Sequence, residues 1–161
     1  MLARCLLLCV LAVPGVCVVT ACGSPGSPSV PTLTATAPSG RNGNADVLRV
    51  RAVQAPDASW TFHVTVQHPD TGWEDYADGW DVVLPDGSVV KPDPDSPFTR
   101  LLLHPHEEEQ PFTRSQSGMI IPEGVSEVRV RAHDLVDGYG GRSVVLDLTV
   151  PAGPDFTVER Q

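Results

Sequence analysis

Trp60-Thr61-Phe62-His63-Val64-Thr65-Val66-Gln67 is the stretch that decides the fold. Large apolar residues occupy every second position and polar ones the positions between. That period of two is the mark of a strand with one face on a core and one in water. On either side the same pattern recurs. Upstream, Leu48, Val50 and Ala52 alternate with Arg49 and Arg51. Downstream, Trp80, Val82 and Leu84 alternate with Asp81 and Val83, and Val89-Val90 follows the turn Pro85-Asp86-Gly87, which predicts a hairpin. Leu101 and Leu103 head another strand, and Met119 and Ile121 end one before Pro122-Glu123-Gly124. Val128, Val130 and Ala132 alternate with Arg129, Arg131 and His133, and Val144, Leu146, Leu148 and Val150 with Val145, Asp147 and Thr149.

Seven to eight short strands with turn signals between them, and no segment of helical period, predict an all-β antiparallel two-sheet sandwich over residues 46–161. Trp60 and Trp80 are expected on the inner faces. An eight-stranded barrel is the other closure that the count permits. With 14 Gly and 16 Pro in 161 residues a helix bundle is disfavoured. The pattern resembles immunoglobulin-like and fibronectin-type-III-like domains. The disulfide of antibody domains has no counterpart, because Cys5, Cys9, Cys17 and Cys22 all precede the folded part.

Those cysteines belong to the segment that addresses the protein. Arg4 is followed by an apolar run from Cys5 to Val19, broken by Pro14-Gly15 and shorter than the roughly 20 residues of a membrane span. This is the layout of a secretory signal. It ends Val19-Thr20-Ala21-Cys22-Gly23, which resembles the lipobox of bacterial lipoproteins. The resemblance implies a signal peptide over 1–21, cleavage before Cys22, and a diacylglycerol thioether on the Cys22 sulfur. The localisation that follows is the extracytoplasmic face of a bacterial membrane, inner or outer, with the lipid as the membrane contact. An ordinary signal peptide cut nearby is the alternative. Residues 22–45 hold Pro25, Pro28, Pro31 and Pro38 among Ser, Thr and Gly, with too few large apolar residues to form a core, so they read as a disordered tether.

With 11 basic against 20 acidic residues the net charge is −9, which excludes the basic footprint of a nucleic-acid binder. Three groups of residues carry the remaining expectations. His104 and His106 stand two apart in Leu103-His104-Pro105-His106-Glu107-Glu108-Glu109, so on an extended strand both imidazoles point to one side. Such a pair suits zinc or copper, with His133, His68 or Asp134 as a third ligand. A solvated, charged connection explains the same residues without an ion. Trp73, Tyr76 and Tyr139 fall in turns, where aromatics bind a protein or glycan of the cell envelope or cap the core. Asp70, Glu74, Asp75, Asp78 and Asp81 lie around Trp73, Tyr76 and Trp80 without the spacing of a calcium loop.

Ser115, Ser117, His104, His133 and Asp134 supply the residue types of a hydrolase, but no G-x-S-x-G elbow is present. Leu101–Gly118 and Val128–Gly141 resemble segments of small exported bacterial proteins, which draws attention to His104, His106, Arg114, His133 and Asp134. An Arg114–Asp134 ion pair is the structural alternative for two of these. The expectation is a non-catalytic, lipid-anchored binding or structural module. A metal-binding lipoprotein is the second reading and a hydrolase the third.

Overall fold

The computed structural model describes residues 43–161. The expected signal peptide, Cys22 and the part of the expected tether up to residue 42 lie outside the described residues. Ten strands follow in order: β1 (Asp46–Gln54), β2 (Trp60–Gln67), β3 (Ala77–Val83), β4 (Val89–Val90), β5 (Arg100–Leu101), β6 (Phe112–Met119), β7 (Glu127–Asp134), β8 (Val144–Asp147), β9 (Ala152–Gly153) and β10 (Phe156–Arg160). The described residues contain no helix, and so none long and apolar enough to cross a membrane.

One sheet runs β6-β2-β1-β10-β9, the other β4-β3-β7-β8 with β5 also on β3. The sheets do not close into the eight-stranded barrel that the strand count also allowed. Their apolar faces meet in one core, to which Val50, Phe62, Val64 and Phe156 come from the first sheet and Trp80, Val82, Val130 and Leu146 from the second. β2 is buried at every second residue from Trp60 to Val66, as its alternation requires. Trp60 and Trp80 are both buried. Each large side chain moved from water into such a core contributes about 1.5–3 kcal/mol.

Four details differ from the sequence pattern. In β1 the register shifts between Val47 and Arg49, so Val47 is fully buried and Leu48 only half-buried. A bulge adds one residue and turns the alternation over. In the leucine triplet it is Leu102 that faces the core, while Leu101 and Leu103 are exposed, because β5 ends at Leu101 and the Leu102 amide turns to the Asp78 carbonyl. The third is the pair β9 and β10, which the sequence reading did not anticipate. Lastly, β10 lies parallel to β1, with Val50 opposite Phe156 and Ala52 opposite Val158. Parallel neighbours need a long connection, and here the whole domain separates the two strands.

β3 is buried on both faces because the chain from β4 to β5 folds over its outer side. Asp81, on that side, is 1% exposed yet fully partnered. It accepts from the Thr99 amide at 3.1 Å, from Arg131 at 3.3 Å and from the Tyr139 hydroxyl. The Phe98 ring lies over Gly79, where a Cβ would stand 2.2 Å from its edge. Gly140-Gly141 is a close approach rather than a slack connection, since a Cβ on Gly141 would meet the Ala45 carbonyl oxygen at 2.0 Å.

Candidate functional site

At one end of the sandwich β2 and β7 stop and β1 and β3 begin. The loop from β2 to β3 supplies His68, Asp70 and Asp75, and the last residue of β7 is Asp134. His68 and Asp134 are 1% and 0% exposed, while the Asp75 side chain is 34% exposed. One donor atom from each of His68, Asp75 and Asp134 lies within 4.8 Å of the others.

Asp70 organises this end. Its Oδ1 accepts from His68 Nδ1 at 2.6 Å and from the Ala77 amide at 3.1 Å. Its Oδ2 accepts from the His106 amide at 2.6 Å, which draws in the loop from β5 to β6. Gln110 closes the same link, accepting from the His68 amide at 3.1 Å and donating to the His106 carbonyl at 3.2 Å. Asp134 accepts from the amides of Ala45, Val136 and Asp137.

With Nδ1 donating to Asp70, the lone pair of a neutral His68 is on Nε2. That nitrogen is buried without a hydrogen-bond partner, and so is Asp75 Oδ1. The two face each other at 3.7 Å, beyond hydrogen-bond range. Burial disfavours the imidazolium form of His68. The bond to Asp70 and the charges of Asp70, Asp134 and Asp75 outweigh it and raise the pKa. Burial likewise works against the Asp70 carboxylate, and the hydrogen bonds from His68, His106 and Ala77 hold its pKa below the ordinary value.

The histidines anticipated as a metal pair do come together. The His104 and His106 rings are 4.5 Å apart. His106 is buried and stacked on Phe112 at 3.8 Å, with both ring nitrogens unpartnered, and its pKa is lowered by burial and by the charges of Arg114 and His104. His133 does not join them in a three-donor group among the described residues. It donates from Nδ1 to Asp78 at 2.6 Å, between Phe98 and Tyr139. Of the residues named as a completing ligand, His68 and Asp134 converge, and their third member is Asp75. The local sign was His68-Pro69-Asp70, an imidazole followed two residues later by a carboxylate that can orient it.

The other expectations divide. Trp73 is 68% exposed and meets Tyr76 edge-on at 5.9 Å. Tyr139 is a brace: its hydroxyl binds Asp81, and the Arg131 guanidinium lies 3.8 Å from its ring centre. Burial and the bond to Asp81 raise its pKa far above the ordinary phenol value. Arg114 pairs with Glu109 at 2.7 Å, not with Asp134, whose Oδ1 accepts from two backbone amides and Oδ2 from one. Ser115 is bonded to His63 across β2 and β6 at 2.7 Å, not to His104 or His133. A groove of about 470 Å³ between Trp60, Ile121, Val125 and Arg160 is at the opposite end of these strands, and a larger hollow of about 570 Å³ is lined by Pro105, His106, Glu107, Glu108 and Glu109.

The chain is similar to a protein of Halomicrobium mukohataei named "Putative lipoprotein", with 40% identity over 103 residues. The match covers 64% of this chain and 47% of that protein, so the chain spans about half the length of the curated relative it matches. No protein-family model matches the chain, and no solved structure does.

Proposed function

We propose that this is an exported, lipid-anchored protein whose immunoglobulin-like β-sandwich acts as a non-catalytic binding module at the extracytoplasmic face of the membrane. The observation that carries the anchor is the similarity to a protein named as a lipoprotein, taken with Val19-Thr20-Ala21-Cys22 after the apolar run. At 103 residues the match is longer than residues 1–45, so the folded part shares in it.

A surface for the partner is at the end described above. Trp73, Tyr76, Leu135 and Val136 lie on two loops joined by the Leu135 amide donating to the Tyr76 carbonyl at 3.2 Å. Leu135 and Val136 are 47% and 64% exposed. Apolar side chains held outward on braced loops suit recognition of an envelope protein or glycan. The non-catalytic reading is supported by the setting of the Ser115–His63 pair. It stands exposed on the outer face of a sheet, whereas a catalytic pair generally works from within a cleft.

Cell fractionation with Cys22→Ala tests the anchor. The parent protein partitions with membranes, and the variant is released or stays unprocessed. A variant cut at the same bond and still held in membranes contradicts the reading. Trp73→Ala tests the rim: capture of envelope material by the purified protein falls, and unchanged capture places the binding surface elsewhere.

A further inference from the structure

We propose that His68, Asp75 and Asp134 form a binding site for a divalent transition-metal ion of the zinc type, with Asp70 as the residue that orients His68. The proposal goes beyond the anchor and the rim, and stands whether or not either is correct.

The first argument is the state of the donor atoms. A buried polar atom with no hydrogen bond is costly, and native proteins have few of them. Here two face each other, His68 Nε2 and Asp75 Oδ1. Their 3.7 Å separation is too long for a hydrogen bond. Two ligands at about 2.0–2.1 Å from a tetrahedral ion are about 3.4 Å apart, so a small contraction brings both to one zinc. Asp134 supplies the third donor within the same 4.8 Å group.

The second argument is the hydrogen bond on the far side of the ring. A metal-bound histidine generally donates its other N–H to a carboxylate, which fixes the tautomer and aims the free lone pair at the ion. His68 donates from Nδ1 to Asp70 at 2.6 Å, which leaves Nε2 pointing at Asp75. Asp70 is itself held by the amides of Ala77 and His106, so the ring cannot turn freely.

The donor types select the ion. One imidazole and two carboxylates, without a thiolate, suit a borderline ion such as zinc better than copper(I) or calcium. Three protein ligands leave the remaining position to water or to a group on a bound partner. Asp75, the one partly exposed ligand, belongs to the turn that carries Trp73, so that position opens toward the rim.

The test uses the full-length protein in detergent, stripped with chelator and titrated with zinc chloride. Expected are one zinc per chain in competition with a chromophoric chelator and a rise in Tm of about 5–10 °C at zinc about a hundredfold above Kd. Nitrogen-15 spectra of the histidines should show the Nε2 signal of His68 moving while Nδ1 keeps its proton. Asp75→Asn, at a half-exposed position that should fold, abolishes the rise, and so does His68→Gln. The double variant His104→Ala, His106→Ala keeps it. Absence of binding to the parent protein overturns the proposal, as does an equal rise in Asp75→Asn. Loss confined to the double variant also overturns it and assigns the ion to the His104–His106 pair.

Discussion

Ala58 occupies, in the turn between β1 and β2, the backbone position that Gly87 occupies between β3 and β4. Both turns read Pro-Asp-x-Ser, at residues 56–59 and 85–88. Both close with the same pair of bonds, Ala55 N to Ser59 O and Ala58 N to Ala55 O in one, Leu84 N to Ser88 O and Gly87 N to Leu84 O in the other. The φ angles are +67° for Ala58 and +87° for Gly87. This left-handed region is free for glycine and costs an L-residue roughly 1–2 kcal/mol. Ala58→Gly is therefore expected to raise stability by about 0.5–1 kcal/mol, part of the gain being lost to the freer unfolded chain. Gly87→Ala should lower it by a similar amount. Urea unfolding of the two variants measures both, and shifts of the same sign would contradict the comparison.

Asp70 is expected to be the most sensitive residue of the site end. Asp70→Ala leaves His68 Nδ1 and the amides of Ala77 and His106 without their acceptor in a buried place. Each orphaned buried donor costs about 1–3 kcal/mol, so a loss of at least about 3 kcal/mol is expected. Denaturant unfolding checks it. A loss below about 1 kcal/mol would mean that these bonds do not hold the loops.

Acid should weaken three turns by one mechanism. Asp57, Asp86 and Asp147 each accept from the hydroxyl and then the amide of the residue two ahead, Ser59, Ser88 and Thr149, and these bonds lower each pKa. A carboxylate whose folded pKa lies below its unfolded one stabilises above the unfolded value, and loses that effect as pH falls through the folded value. The difference in Tm between the parent protein and the triple variant Ser59→Ala, Ser88→Ala, Thr149→Ala should therefore be full at neutral pH. It should shrink below about pH 4. An equal difference at both pH values would sink the assignment.

Gly79 has no room for a side chain. Its added Cβ would lie 2.2 Å from the Phe98 ring, which also packs on His133 at 5.1 Å. Gly79→Ala should cost about 1–3 kcal/mol, as overpacking does. Adding Phe98→Leu should recover part of it. Thermal melts of the single and double variants decide the matter, and strict additivity would contradict the contact.

The fold was legible where one face of a strand is dry and the other wet. β2 and β7 show it: Trp60 to Val66 and Val128 to Ala132 bury every second residue, as their alternation indicates. Legibility failed where a non-local event sets the phase. A bulge moved burial from Leu48 to Val47, and the end of β5 turned Leu102 inward in place of its neighbours. β10 was not anticipated: only Phe156 and Val158 mark its buried face, and its parallel partner is the first strand of the domain, which no local pattern signals. The site was half legible for the same reason. His104 and His106 are neighbours in sequence and were noticed, whereas His68, Asp75 and Asp134 meet only because β2 and β7 end at the same level of two different sheets.

The amino-terminal peptide of the protein isolated from its native membranes carries the most direct test of the anchored reading. Mass spectrometry should find a peptide beginning at Cys22, heavier than its sequence by a diacylglycerol on sulfur. A chain that begins elsewhere, or a Cys22 with an unmodified thiol, would contradict it.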